Sequence, residues 1–163
     1  MFAAAFLTSN QGERVRIPHS TPRGIMKRVS RHLYSFKFGF DFHGVIDQDP
    51  AGYAELFREL MFKDCEVHII TGAMRWDITP FLRKWGIKYN YIYSITDDLM
   101  DKGKTTGVKG KSFIFPDKDW NEAKAKYCKE NNIMLMLDDS DIYGKFFETP
   151  YYKTGSEIVR GSK

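Results

Sequence analysis

The chain has 163 residues, of which 42% are hydrophobic and 28% charged, and its formal net charge is +4. This length suits a single domain with one hydrophobic core, and the composition argues against a disordered chain. No apolar run approaches the roughly 20 residues that a membrane-spanning helix requires, so we expect no membrane partner. The two cysteines, Cys65 and Cys128, lack CxxC or Cys/His spacing, which argues against zinc and favours a reducing, cytoplasmic location.

The positive charge is concentrated near the N-terminus. Residues 1–37 contain seven of the 25 Lys and Arg residues but one of the 21 acidic residues, Glu13. Such a segment could be a transit peptide, a nucleic-acid-binding arm or an extension without function. We expect residues 1–35 to be a flexible basic extension, residues 36–150 to form the folded domain, and residues 151–163 to be a polar tail.

The first half of the domain alternates strand and helix patterns. Residues 36–46 are dense in aromatic and β-branched side chains and end in a glycine-containing turn, which predicts a buried strand and a loop. Residues 50–62 have helical spacing, with Asp49 as the N-cap and proline at the first helical position. A second strand is predicted at residues 65–71, and a helix covers about residues 76–85.

The second half continues this alternation. A third strand is predicted at residues 89–94, and residues 97–110, rich in Gly and Lys, indicate a loop or a small β-flap. A short strand at 111–115 and a helix at 120–131 lead to the apolar run IMLMLDD at 133–139, which is typical of a central parallel strand. The order predicts a three-layer α/β/α fold of the Rossmann-like type with a central parallel sheet.

Polar side chains follow three of the predicted strands. Asp41 follows the first, Thr71 ends the second, and Asp138 and Asp139 end the last. Each has an ordinary interpretation in isolation, as a turn former or a helix N-cap. The carboxyl ends of parallel strands, however, face one crevice, and two adjacent carboxylates repel each other without a cation. Together these residues predict a site for a metal ion and a phosphate.

The segments FGFDFHGVID, HIITG and MLDDS resemble motifs I, II and IV of the haloacid dehalogenase (HAD) superfamily, in the family's order. The resemblance covers about residues 36–148. The segments DFHGVID and DDSDIYGKFF are also similar to small phage and bacterial HAD-like proteins of the nucleotidase type. The resemblance implies a HAD fold and a Mg2+-dependent phosphatase.

The resemblance also implies a role for each strand-end residue. Asp41 would be the nucleophile that forms an aspartyl-phosphate. Asp41, the carbonyl oxygen of His43, Asp138 and Asp139 would hold Mg2+, which prefers oxygen ligands. The hydroxyl of Thr71 would donate a hydrogen bond to a phosphoryl oxygen.

The family also places a lysine before the last of these strands, where it offsets the negative charge of the transferring phosphoryl group. Lys124 matches best, because it lies early in the predicted amphipathic helix. Lys118 and Lys126 are the alternatives, and the ordinary state of all three is a solvated surface lysine.

One position departs from the family pattern. HAD phosphatases carry a second aspartate two residues after the nucleophile, where it acts as acid and base, and this chain has His43 there. Three interpretations stay open: a working acid and base, since imidazoles titrate near pH 6.5; an altered or slow chemistry; or phosphate binding without turnover. Asp47 and Asp49 could supply a replacement carboxylate, but we interpret them as loop and cap residues.

The short connections between motifs leave no room for a cap domain, so we expect a capless enzyme with an open site. Its partner would be a phosphorylated small molecule or a nucleic-acid end, and the chain could form a homo-oligomer. The Gly/Lys loop could be a flap, and the alternating Tyr89, Tyr91 and Tyr93 could be core or a stacking surface for a base.

The alternative function is a catalytically weak or inactive HAD scaffold that binds phosphate or nucleic acid and uses the basic extension. A receiver-like signalling domain is disfavoured, because receivers place the acidic pair before the phosphorylated aspartate.

Overall fold

The computed structural model describes residues 36–110 and 112–155. Its strands are β1 Lys37–Phe40, β2 Glu66–Thr71, β3 Tyr91–Ser94, β4 Gly107–Lys109, β5 Ser112–Ile114, β6 Leu135–Asp138 and β7 Tyr151–Lys153. Its α-helices are α1 Pro50–Phe62, α2 Arg75–Lys84, α3 Ile95–Asp101 and α4 Asp117–Glu130. The basic extension at 1–35 and the end of the tail lie outside the described residues. Among the helices of this part of the chain, none combines the length and the apolar character needed to cross a membrane.

Five strands form one sheet in the order β3-β2-β1-β6-β7, and every neighbouring pair is parallel. The other two strands, β4 and β5, pair as a separate antiparallel hairpin. The predicted α/β class with a central parallel sheet is therefore confirmed, and the arrangement is compatible with a Rossmann-like fold. Because β1 is the middle strand, the residue that follows it lies at the centre of the sheet's carboxyl edge.

Helices cover both faces of the sheet. Alternate side chains of a strand point to opposite faces, and in β2 Val67 and Ile69 pack in one cluster with Phe57 of α1. Ile70 packs in another cluster with Cys128 of α4. Complete burial of a side chain such as Phe57 contributes roughly 1.5–3 kcal/mol, so these clusters fix the helices against the sheet.

Helix α1 has the bounds that local signals predict. Asp49 Oδ1 accepts a hydrogen bond from the Gly52 backbone N–H at 3.0 Å, and Pro50 occupies the first helical position. Both features act within one turn, which is why they can be recognised in the sequence.

Helix α3 corrects the prediction of a loop from residue 97. Ser94 Oγ accepts a hydrogen bond from the Asp97 backbone N–H at 3.0 Å, and acidic residues in the first turn favour a helix start. Ile95 and Leu99, one turn apart, are buried in a cluster with Phe115. Helix α4 also begins earlier than predicted, at Asp117.

Strand β7 lies in the segment that the sequence interpretation assigned to a polar tail. Tyr151 pairs with Met136 of β6, packs against Phe147 at 4.9 Å between ring centroids, and donates a hydrogen bond to the Ser140 carbonyl at 2.6 Å. The sheet therefore extends past residue 150 to Lys153. The contacts that stabilise this short strand lie in β6 and the loop after it.

The hairpin of β4 and β5 agrees with the predicted small β-flap. Two of the alternating tyrosines belong to one group of rings: Tyr93 stacks on Tyr127 at 4.2 Å, the exposed Tyr91 stacks on His68 at 4.7 Å, and His68 Nδ1 lies 2.9 Å from the Tyr127 hydroxyl. Tyr89 packs against another cluster. The stacking of a base on these tyrosines stays a prediction.

Candidate active site

The ends of three parallel strands bring polar side chains to one edge of the sheet. Asp41 directly follows β1, Thr71 is the last residue of β2, and Asp138 is the last residue of β6. The Asp41 backbone N–H donates to the Leu137 carbonyl at 2.8 Å, so pairing with β6 continues through the first of these residues. All three are buried.

Lys124 joins two of these carboxylates. Its Nζ lies 2.8 Å from Asp41 Oδ2 and 2.6 Å from Asp138 Oδ2, and the residue is only 2% exposed. The alternatives Lys118 and Lys126 are exposed. A charged lysine is seldom buried unless it is paired, and Lys124 is the candidate that the fold brings to the carboxylates.

The electrostatics of this triad are set by burial and by mutual attraction. Burial raises the pKa of Asp41 to about 6, Lys124 opposes that rise, and Asp138 adds to it. Burial lowers the pKa of Lys124, but the negative charges of Asp41 and Asp138 outweigh it and the net shift is upward. At neutral pH the lysine is therefore a cation and Asp41 is mainly a carboxylate.

Backbone N–H groups orient the two buried carboxylates. Asp41 Oδ1 accepts from the Phe42 N–H at 2.7 Å, and Asp138 Oδ1 accepts from the Ser140 N–H at 2.9 Å. In each carboxylate, one oxygen thus accepts a hydrogen bond from a backbone N–H group and the other contacts the Lys124 ammonium. Such charge-assisted hydrogen bonds hold the groups in fixed positions before any ligand arrives.

The carboxylates also form a group suited to a divalent cation. Asp41, Asp138 and Asp139 each offer an oxygen atom, and these atoms lie within 4.8 Å of one another. Gly44, at φ +73°, lets the loop after β1 pass close by, because a Cβ there would lie 2.0 Å from Asp139 Oδ2. Hard oxygen donors of this kind fit Mg2+. The donor set therefore fits the predicted metal.

Thr71 takes part in the turn that follows β2. Its Oγ1 accepts a hydrogen bond from the Ala73 backbone N–H at 3.1 Å, which is the ordinary role that its position suggests. A hydroxyl that accepts can still donate its own hydrogen. Its predicted contact with a phosphoryl oxygen stays a prediction.

His43 differs from the other predicted residues because it is exposed. Its ring packs edge-on against Phe42 at 4.9 Å, and within residues 36–110 and 112–155 it has no hydrogen-bond partner. Asp47 Oδ1 instead accepts from the Gly44 N–H at 2.8 Å and stabilises the loop. Asp49 caps α1, so both loop aspartates have the loop and cap roles that the sequence predicted for them.

An aromatic ring lies beside Lys124, and a second aromatic side chain is hydrogen-bonded to the first. Neither residue was identified from the sequence. The ring centroid of Tyr143 lies 4.8 Å from Lys124 Nζ, and the Trp120 indole N–H donates to the Tyr143 hydroxyl at 3.0 Å. These two residues are separated by 23 positions, and no local pattern links them. The one indication in the sequence was that Tyr143 belongs to the segment DDSDIYGKFF, which is similar to other proteins.

The assembled site thus contains a buried lysine, three carboxylates within reach of one another, and an exposed histidine at the start of the adjoining loop. Comparisons of the chain with protein-family models, with curated proteins and with solved structures found no match. What the site does is therefore inferred from its own residues.

Proposed function

We propose that this chain is a capless, Mg2+-dependent phosphomonoester hydrolase of the HAD superfamily that acts on a nucleotide or a nucleic-acid phosphate end through an aspartyl-phosphate. The observation that carries the proposal is the buried ammonium of Lys124 between Asp41 Oδ2 and Asp138 Oδ2. A buried lysine that only stabilised the fold would need one carboxylate as its partner. Two carboxylates with a third nearby at the carboxyl edge of a parallel sheet suit phosphoryl transfer.

The chemistry has two steps. An oxygen of Asp41 forms a bond to the substrate phosphorus while the bond from phosphorus to the ester oxygen breaks. The departing oxygen takes a proton from the acid, for which His43 is the candidate. Water then gives a proton to the same group and attacks the phosphorus, the bond between phosphorus and Asp41 breaks, and inorganic phosphate leaves. Lys124 reduces the repulsion between the Asp41 carboxylate and the phosphate in both steps, because its positive charge lies beside the reacting oxygen.

Asp41, Asp138 and Asp139 are the residues that would hold Mg2+. A bound Mg2+ supplies positive charge that offsets the charge of the phosphoryl oxygens. Metal binding needs deprotonated ligands. The raised pKa of Asp41, about 6, therefore predicts weaker Mg2+ binding as the pH falls below that value.

The substrate class follows from the absence of a cap-sized insertion in the described part of the chain. Between β1 and β2 there is α1 and one short 3-10 helix, and between β2 and α4 there are two helices, one strand and the hairpin. An open site of this kind suits a large phosphorylated substrate. A nucleotide or an oligonucleotide end meets this requirement.

A second candidate function is favoured by His43. Its ring is exposed and has no hydrogen-bond partner among the residues that the structure describes, although the proposed mechanism needs an acid there. This suits a scaffold that binds phosphate and turns it over slowly or not at all. The basic extension bears on this choice, because the binding scaffold would use it: if deletion of residues 1–34 leaves the affinity for an oligonucleotide unchanged, the scaffold loses its support.

The proposed function is tested by measuring inorganic phosphate released from nucleotides, sugar phosphates and 3'-phosphorylated oligonucleotides, with Mg2+ or with EDTA. We expect release from at least one nucleotide or oligonucleotide with Mg2+ and background release with EDTA. Absence of release from every substrate by the wild-type protein would contradict the enzymatic proposal and favour the binding scaffold.

Substitution of His43 tests whether this residue is the acid and base of the proposed reaction. If His43 is the acid and base, His43→Asn should lower kcat about 100-fold or more, and His43→Asp should retain activity with a more acidic pH optimum. Because the side chain is exposed, both variants should keep the wild-type melting temperature. Equal kcat in the wild type and His43→Asn would show that the histidine takes no part in proton transfer.

A further inference from the structure

An aromatic ring adds to the contacts that the two carboxylates make with Lys124. Its ammonium has three N–H groups, and contacts to Asp41 and Asp138 occupy two of them. The ammonium also lies over the ring of Tyr143, 4.8 Å from its centroid. A cation at this distance from an aromatic face is attracted to it. The lysine is therefore held by two carboxylates and one ring.

The ring of Tyr143 is itself held by Trp120. The indole N–H donates to the Tyr143 hydroxyl at 3.0 Å, and the indole stacks on Phe115 with centroids 5.7 Å apart. A Cβ on Gly72 would lie 3.0 Å from the indole ring, so Trp120 also packs closely against the turn after β2. Trp120 thus links three structural parts: α4, the turn after β2 and the loop after β6.

We infer that Trp120 and Tyr143 form an aromatic clamp that positions the ammonium of Lys124 for phosphoryl transfer. The inference rests on the proposed function. Both are positioning residues, because they act through Lys124. Lysine has a flexible four-carbon stem, and the clamp restricts where its charge can lie. It also keeps water from the ammonium, which strengthens its attraction to charge at Asp41.

If the clamp positions Lys124, its loss should lower kcat with little change in KM, which a purely structural role does not predict. Lys124 offsets charge mainly while the bond to phosphorus forms, so its displacement should affect the transition state more than substrate binding. Tyr143→Leu, which removes the ring, should lower kcat roughly 2- to 30-fold, the range of a lost cation–π contact. KM should change by less than about twofold. Tyr143→Phe, which keeps the ring, should recover most of the loss.

The matched control is Tyr152→Leu, since Tyr152 is 61% exposed on β7. It should keep the wild-type kcat and KM. If Tyr143→Leu lowers the melting temperature but keeps the wild-type kcat, the clamp is structural and the inference is wrong. If the wild type releases no phosphate from any substrate, the proposed function fails first, and the two failures are thereby distinguished.

The hydrogen bond inside the clamp is tested without turnover. The chain has three tryptophans, so Trp76→Phe with Trp85→Phe leaves Trp120 as the sole indole. In this background Tyr143→Phe should shift the emission maximum of Trp120, and Tyr152→Phe should not. In the kinetic assay, adding Tyr143→Phe to Trp120→Phe should cause no loss beyond that of Trp120→Phe alone, because both substitutions remove the same hydrogen bond. Unchanged emission or additive losses would contradict the clamp.

Discussion

Asp41→Asn is expected to reduce phosphate release with Mg2+ to the background that the wild type shows in EDTA. In the absence of metal, the variant should be at least as stable to unfolding as the wild type. The amide cannot attack phosphorus as a carboxylate does, and loss of a nucleophile can lower turnover by roughly 10,000-fold or more. Its oxygen can still accept from the Phe42 N–H that now bonds Asp41 Oδ1. Phosphate release and thermal unfolding in EDTA measure the two effects.

The stability effect has a defined dependence on pH. Burial raises the pKa of Asp41 from 3.8 to about 6, so between these values the folded state binds more protons than the unfolded state. Folding stability therefore falls as the pH rises through this window. Asp41→Asn removes the ionisable group, so in the absence of metal the variant should be more stable than the wild type by up to about 3 kcal/mol above pH 6. The difference should be smaller near pH 4.

The control is Asp77→Asn, an exposed position in the first turn of α2. It should keep wild-type activity and show no such pH-dependent gain. Wild-type turnover by Asp41→Asn would exclude Asp41 as the nucleophile. A large loss of stability in that variant above pH 6 would contradict the electrostatic account of the triad.

Lys124→Met is expected to lose both activity and stability. The substitution leaves Asp41 and Asp138 buried without the cation that now lies 2.8 and 2.6 Å from them. Breaking a buried ion pair in this way costs about 3–5 kcal/mol. Loss of one preorganised group that stabilises transition-state charge lowers kcat about 100- to 1000-fold. Chemical unfolding in EDTA and phosphate release with Mg2+ measure these effects.

Lys126→Met, two residues along the same helix, is the matched control. Lys126 is exposed and 3.9 Å from Glu130, so its loss should change stability by no more than about 0.5 kcal/mol. If Lys124→Met is too unstable to assay, Lys124→Arg keeps the charge but should still lower kcat, since a guanidinium does not fit the position of an ammonium. Equal activity in the Lys124 and Lys126 variants would exclude Lys124 from the site.

The elements that depend on local signals could be predicted from the sequence. Helix α1 was predicted with its observed bounds because Asp49 and Pro50 act within its first turn. Helix α3 was not predicted, although Ser94 caps it within one turn, because the burial of its apolar side chains depends on Phe115 and Ala123, which lie later in the chain. Strand β7 was missed for the same reason, since pairing with β6 stabilises it.

The site shows a similar division. A polar residue at the end of an apolar strand is a local pattern, and it located Asp41, Thr71 and Asp138 at one edge before the fold was known. Lys124 was preferred to Lys126 because of its early position in the predicted helix and the resemblance to a family, and its burial between Asp41 and Asp138 depends on the fold. The contact between Trp120 and Tyr143 joins two distant segments, so only the packing of α4 against the loop after β6 reveals it.

The central claim is that Asp41 carries the phosphoryl group during turnover. The most direct measurement is acid quenching of the wild type during reaction with p-nitrophenyl phosphate and Mg2+, followed by peptide mass spectrometry. We expect a phosphoryl group on the peptide that contains Asp41. No phosphoryl group should be found when the reaction is run in EDTA or with the Asp41→Asn variant. Turnover of this substrate with a phosphoryl group on another residue would contradict the account.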